Sequence, residues 1–240
     1  MTTGTGRGRG PSLPAVPSAT PNTGSNTGTG IEAVLWDYGG VFTASPFAAA
    51  RAYAATTGTD PEVLIDLVFG PSGTDTDHPW HRLERGEVAM GDALAAITDA
   101  AEAAAVPFDL REMWGHVAND PVDRSVVIET VRQLRIDGVR TAVVTNNIRE
   151  YGDVWRASLD ADELFDVVVD SCHEGVRKPD PKIYRTALER VGVDDPARAV
   201  FLDDHEGNVT AARDLGLHGI VVGADPRVAL AELDALRNGG

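Results

Sequence analysis

Five short apolar runs separated by helical periods constrain this chain more than any other feature. They are "IEAVLWD" (Ile31 to Asp37), "VRTAVVTNN" (Val139 to Asn147), "LFDVVVDS" (Leu164 to Ser171), "RAVFLDD" (Arg198 to Asp204) and "LHGIVVG" (Leu217 to Gly223). Each is short, apolar and closed by a polar residue or glycine, the pattern of a strand buried on both faces. Between them "RSVVIETVRQLRIDG" repeats apolar residues at spacings of three and four and closes on Asp137-Gly138. "PKIYRTALERVG" opens on Pro181, favourable in a first helical turn, and ends at Gly192, while "GNVTAARDLG" ends at Gly216. Strands that alternate with helices imply a parallel sheet covered on both faces.

One segment breaks the alternation. From about Pro46 to Pro121 the chain is rich in alanine and helical in pattern ("FAAARAYAATTG", "PEVLIDLVFG", "GDALAAITDAAEAAA"), with no convincing strand. The expected architecture is therefore a doubly wound, Rossmann-like α/β core from residues 31–45 and 122–240. An all-helical cap, residues 46–121, is inserted after the first strand and sits above its carboxyl end. Residues 1–30 are mostly Gly, Thr, Ser and Pro, a composition that cannot offset the entropy of ordering it, so a disordered tail is expected there.

Charge and cysteine content narrow the partners. With 37 acidic against 21 basic residues and a net charge of -16, the chain repels nucleic acid and anionic membrane faces, and no basic patch is visible. Cys172 is the only cysteine, which excludes an intrachain disulfide framework and favours a reducing, cytoplasmic setting. No apolar run approaches the roughly 18 residues that span a bilayer, and residues 1–30 lack the apolar core of a secretory signal.

Open parallel sheets bind ligands outside the carboxyl ends of their strands. Those ends supply Asp37, then Thr145 with Asn146, then Asp203 with Asp204, and the loop "EGVRKPDP" adds Lys178 ahead of a helix. Taken singly, each has a plainer reading: Asp37 before Gly39-Gly40 as a turn former, Asp203-Asp204 and Thr145 as helix caps, Lys178 as a solvated charge. Taken in order, "DYGGV", "VVTNN", "RKPDP" and "FLDDHEGNV" resemble the four motifs of the haloacid dehalogenase-like superfamily, whose members are mostly magnesium-dependent phosphatases. The resemblance covers about residues 31 to 223. The phrases "LERGEV", "RKPDPKIY" and "FLDDHEGNVTAARDLG" are most similar to the branch that holds the phosphatase domain of soluble epoxide hydrolases and sugar-phosphate phosphatases.

Chemistry accounts for these residue types beside the name. A carboxylate attacks phosphorus only once the negative charge between them is neutralised, because like charges 4 Å apart repel by about 4 kcal/mol at an effective dielectric near 20. A hard cation with oxygen ligands, Mg2+ by family resemblance, removes that repulsion. Asp37 and Asp204 are the expected side-chain ligands, with Asp203 a third candidate, and the resemblance adds the carbonyl of Gly39. Lys178 screens nucleophile and phosphate, while Thr145, Asn146 and the amides beside them hold the remaining oxygens. Asp37 is then the nucleophile, forming an aspartyl phosphate that water hydrolyses; the partner is a small phosphate ester.

Gly39 departs from the pattern, since phosphatases of the superfamily usually carry an aspartate there as general acid. Such an acid is worth roughly 10² to 10⁴ in rate, so its loss slows the site without abolishing it. Good leaving groups (acyl, aryl, enol or anomeric sugar phosphates) should be favoured, unless His205, or His78, His81 or Glu84 of the insert, takes the role. A non-catalytic module of the same fold, binding a phosphorylated metabolite or a partner, is the competing reading. Dehalogenation leaves Lys178 and Asp203-Asp204 poorly explained, and the insert has no lysine for Schiff-base cleavage of a carbon-phosphorus bond. In the insert "WHRLERGEV" reads as helix packing ended by Gly86, and Trp80, Trp114 and Trp155 as buried anchors.

Overall fold

The computed structural model describes residues 30–71, 73–117 and 123–239. The tail reading falls on residues 1–30, outside the described residues except for Gly30. Strand β1 (Ala33–Trp36) is followed by helices α1 (Pro46–Thr57), α2 (Pro61–Phe69), α3 (Pro79–Glu84), α4 (Met90–Ala103) and α5 (Leu110–Gly115). Then come α6 (Ser125–Ile136), β2 (Arg140–Thr145), α7 (Gly152–Leu159), α8 (Ala161–Leu164), β3 (Val167–Asp170) and α9 (Ser171–Glu174). The chain ends with α10 (Pro181–Val191), β4 (Ala199–Asp203), α11 (Glu206–Asp214), β5 (His218–Val221) and α12 (Pro226–Arg237).

The strands form one parallel sheet in the order β3-β2-β1-β4-β5. The chain thus leaves the sheet on one side of β1 after β3 and returns on the other at β4, and the crevice at that reversal lies over the carboxyl end of β1. All four residues of β1 are fully buried, as a central strand with two covered faces requires. Its period of two deals Val34 and Trp36 to the core under α6 and α12, where Val127, Val131, Leu134, Ala229, Leu230 and Leu233 pack. Ala33 and Leu35 go to the core under α10 and α11, with Ile183, Tyr184, Ala187 and Ala212.

The third run begins later than its apolar pattern suggests. Residues Ala161–Leu164 form α8, and Asp166 ends the irregular approach to β3 by accepting from the Thr141 amide at 2.8 Å through its carboxylate. The Asp166 amide donates in turn to the Thr141 carbonyl at 2.9 Å, so side chain and main chain together fix the register at the start of β3.

Helices α1 to α5 lie between β1 and α6 and bury an apolar core of their own, including Tyr53, Leu64, Ile65, Val68, Leu83, Ile97 and Met113. Their starts follow local capping rules: Asp60 accepts from the amides of Glu62 and Val63 at 2.9 and 3.3 Å, ahead of Pro61 at the first helical position. This cap is tied to the core through α3. Ser171 Oγ donates to the Glu84 carbonyl at 2.6 Å, Arg177 Nε donates to the Glu84 carboxylate at 2.7 Å, and the Met90 amide donates to Glu150 at 2.9 Å. Gly86, at φ +67°, lets the turn after α3 press on α9, since a Cβ there would overlap the Cys172 carbonyl. Among the described residues no helix is long and apolar enough to cross a membrane.

Candidate active site

The carboxyl ends of β1, β2 and β4 bring the chemistry together. Asp37 directly follows β1, and its amide continues the ladder by donating to the Leu202 carbonyl at 2.8 Å. Thr145 ends β2 and is buried, and Asp203 ends β4 with no exposure at all. Lys178 reaches in from the loop between α9 and α10. Its Nζ lies 2.6 Å from Asp37 Oδ1 and 2.8 Å from Asp203 Oδ2, with only 1% of the side chain exposed.

Asp203 is saturated by protein donors. Besides Lys178, its Oδ2 accepts from Asn208 Nδ2 at 3.0 Å, and its Oδ1 accepts from the His205 amide at 2.7 Å. Asp37 Oδ1 also accepts from the Tyr38 amide at 2.7 Å. Asn146 clamps the lysine loop, its Nδ2 donating to the Lys178 carbonyl at 3.0 Å and its Oδ1 accepting from the Lys178 amide at 2.8 Å. Its side chain is therefore occupied with holding Lys178.

Carboxylate oxygens of Asp37, Asp203 and Asp204 all lie within 4.8 Å of one another. Burial pushes the Asp37 carboxyl well above its ordinary range, and Asp203 and Asp204 push the same way against the pull of Lys178. Burial and then Asp203 push Asp204 up to about 7. Burial pushes Lys178 down, but Asp203 and Asp37 outweigh it and hold the ammonium above its ordinary value. Three clustered carboxylates against one buried ammonium leave excess negative charge among hard oxygen donors, a set that suits a divalent cation such as Mg2+.

A cavity of about 470 Å³ opens over this cluster, lined by Asp37, Gly39, Thr145, Asn146, Lys178 and Asp204 on the sheet side and by α1 to α5 on the other. Of the alternative acids, His205, His81 and Glu84 also line it, whereas His78 caps α3 by accepting from the Trp80 amide at 3.2 Å. His81 is held by Thr76, whose amide donates to its Nδ1 at 3.0 Å, and burial pushes it down to about 3. Glu84 accepts from Trp80 Nε1 at 2.8 Å as well as from Arg177. His205 stacks beside Phe47 with ring centroids 5.1 Å apart, and burial lowers it.

The profile of the haloacid dehalogenase-like hydrolases matches residues 31–216. The chain belongs to that family. Among relatives of this HAD hydrolase, mouse acyl-CoA dehydrogenase family member 10 is 32% identical over 214 residues, which cover 87% of this chain and 19% of that protein. Rat bifunctional epoxide hydrolase 2 is 33% identical over 112 residues, 45% of this chain and 20% of that protein, so the chain spans about a fifth of the length of these relatives. The sesquiterpene phosphatase astK of Aspergillus oryzae is 26% identical, with 80% of this chain and 90% of that protein covered. Solved structures share the fold: a HAD-like hydrolase from Porphyromonas gingivalis superposes with a TM-score of 0.60 at 20% identity, covering 86% of this chain and 98% of that one. A HAD enzyme from Bacteroides thetaiotaomicron, solved with magnesium and inorganic phosphate, gives 0.54 at 19% identity, covering 81% and 96%.

Several residues that shape the HAD site escaped the sequence reading. Arg124, just before α6, donates to the Gly40 carbonyl at 2.6 Å and so holds the loop that follows Asp37. Asn208 steadies Asp203 from one turn into α11, and Arg177 couples Glu84 of the cap to the lysine loop. Arg177 and Asn208 carried a signal, standing inside "RKPDP" and "FLDDHEGNV". Trp80 and Trp155 are buried, as expected of anchors, but Trp114 is 39% exposed and stands in the cavity wall. Its ring lies 6.2 Å from those of Phe69 and Trp80.

Proposed function

We propose that this HAD hydrolase is a phosphatase that cleaves a small phosphate ester with Mg2+ and an aspartyl-phosphate intermediate on Asp37. The observation that carries the reading is the buried Lys178 ammonium bridging Asp37 and Asp203 beside Asp204, under a cavity of about 470 Å³. Two relatives point the same way by name, the sesquiterpene phosphatase and a validoxylamine A 7'-phosphate phosphatase of Streptomyces hygroscopicus.

Mg2+ would be held by Asp37, Asp204 and the Gly39 carbonyl, and when bound it lowers the charge on the phosphoryl oxygens. Asp203, with both oxygens engaged, serves chiefly to aim Lys178 and preserve its charge. Lys178 and Tyr38 hold Asp37 Oδ1, which leaves Oδ2 to attack. As the Oδ2–phosphorus bond forms, the bond to the leaving oxygen breaks and its electron pair departs with the leaving group. Thr145 and the Asn146 amide hold phosphoryl oxygens through this step. Water then attacks phosphorus, releasing inorganic phosphate and restoring Asp37.

A second reading rests on Gly39, which offers the cavity no carboxylate: the site binds a phosphate ester without turning it over. Incubation with para-nitrophenyl phosphate, with and without Mg2+, separates the two. The phosphatase reading requires turnover that depends on the cation and falls at least about 10³-fold in Asp37→Asn. Tight binding of phosphate esters with no turnover would establish the binding module instead.

A further inference from the structure

We propose that the ester this site is built for is an aryl phosphate, one whose leaving group is an apolar aromatic ring; the inference rests on the phosphatase reading above and adds the substrate class. Two independent observations meet on that class.

The first is the wall of the cavity opposite the carboxylates. Phe47, Phe69, Trp80, Trp114, Met90 and Leu110 line it. The aromatic rings form a connected set, with centroid separations of 5.1 Å for Phe47–Phe69, 5.2 Å for Phe69–Trp80 and 6.2 Å for Trp80–Trp114. Such rings offer offset and edge-on partners to another aromatic group. The mouth continues the surface: Met90, Trp114 and Tyr151 are 36%, 39% and 42% exposed, large apolar side chains left in water beside a cavity. Apolar surface kept exposed around a concave site marks what the site takes in.

Three polar side chains on that wall already hold protein partners. Glu84 is held by Trp80 and Arg177, His81 by Thr76, and the Glu150 carboxylate by the Met90 amide. A hydroxyl-rich leaving group such as a sugar would lose its bonds to water and find these partners engaged.

The second observation is Gly39. A Cβ there would meet only Pro46, at 3.7 Å, so packing does not forbid a side chain, yet the position supplies no proton donor. The leaving oxygen departs with its electron pair and is protonated afterwards by solvent. A phenolic oxygen does so readily, its conjugate acid having a pKa of about 10, whereas an alkoxide resembles hydroxide, with a conjugate acid near 16. Acyl phosphates satisfy this chemical demand but not necessarily the apolar wall, and hydrocarbon alcohols satisfy the wall but not the chemistry. Aryl phosphates satisfy both.

The test crosses the two demands. With Mg2+ present, kcat/KM is measured for naphthyl phosphate, cyclohexyl phosphate, acetyl phosphate and a hexose phosphate, in wild type, Trp114→Ala and Asp37→Asn. The expected result is naphthyl phosphate ahead of each of the others by about tenfold or more, the scale on which an apolar pocket discriminates. Trp114→Ala, at an exposed rim position, should keep its fold by circular dichroism and narrow the naphthyl-to-acetyl ratio by about tenfold. Asp37-dependent turnover that is flat across the four esters, or led by the hexose phosphate, overturns the inference and leaves the phosphatase reading standing. So does a naphthyl-to-acetyl ratio untouched in folded Trp114→Ala. Absence of Asp37-dependent turnover on all four overturns the phosphatase reading and the inference with it.

Discussion

The floor and the roof of the cavity are built on opposite principles. On the floor, polar groups from three strand ends and one loop hold one another: Lys178 spans Asp37 and Asp203, Asn146 and Asn208 brace them, and each position is set by its partners. On the roof, Phe69, Trp80 and their neighbours are set mainly by volume and contact, with hydrogen bonds capping the helices and docking α3 and α4 on the core. A network of charges tolerates no misplacement, because an unpaired buried charge is penalised heavily, while an apolar wall tolerates exchange of one ring for another of similar size. On the proposed function, the floor carries the reaction and the roof the choice of substrate.

Two adjacent glycines give the sharpest way to break that comparison. Gly40, at φ +76°, passes so close to Asp204 that a Cβ would overlap its carboxylate. Gly40→Ala should displace Asp204 and lower turnover by about 10²-fold or more, the penalty for a shift of roughly 1 Å at a reacting centre. Gly39→Ala places its Cβ in ordinary contact with Pro46 and should leave turnover within about threefold of wild type. Steady-state rates on para-nitrophenyl phosphate decide it; equal losses in the two variants would mean that the floor is not as tightly specified as its distances indicate.

Gly39→Asp sharpens the same contrast with a smaller effect. A Cβ at Gly39 meets only Pro46, in ordinary contact, and a proton donor there would relieve substrates with basic leaving groups. Turnover of an alkyl phosphate should rise by about tenfold, short of what a fully positioned acid provides, while aryl phosphate turnover changes little. A uniform fall for both substrates would show that Gly39 is needed for a reason other than the missing acid.

How far the molecule was legible from sequence follows from the same division. Strands β1, β2 and β4 were readable because burial on both faces demands continuous apolar runs, and their polar ends stood out against those runs. The convergence of Asp37, Lys178, Asp203 and Asp204 was readable because strand ends of a parallel sheet gather on one edge and the four motifs stand in order. What the order did not contain was division of labour: that Asp203 is saturated by Lys178, Asn208 and the His205 amide is a matter of three-dimensional approach between residues up to 25 positions apart. The roof was readable only as helices. Alanine-rich periodicity locates α1 to α5 without saying which aromatic ring faces a core and which faces a cavity, so Trp114 read as an anchor although it stands in the wall. The late start of β3 was hidden because the apolar run begins inside α8, and Asp166 meets Thr141, distant in sequence, through both its amide and its carboxylate.

The smallest expected effect separates floor and roof by the sign of their response to pH. Asp204 is pushed up to about 7 by burial and Asp203, and Asp37 moves in the same direction, whereas both ionise near 3.8 in the unfolded chain. Between those values the folded floor binds more protons than the unfolded chain, so its contribution to stability falls as pH rises from about 4 to about 7. In the roof, burial pushes His81 down to about 3 from an ordinary 6.5, so there the unfolded chain binds more protons and stability is lost as pH falls through that window. A cation on the floor oxygens competes with the floor's protons and leaves the roof untouched. Addition of Mg2+ should therefore raise the melting temperature more at pH 8 than at pH 5, by a few degrees, given about 2 to 4 °C per kcal/mol for a domain of this size. A cation effect equal at the two values, or larger at pH 5, would place the bound ion away from Asp37 and Asp204.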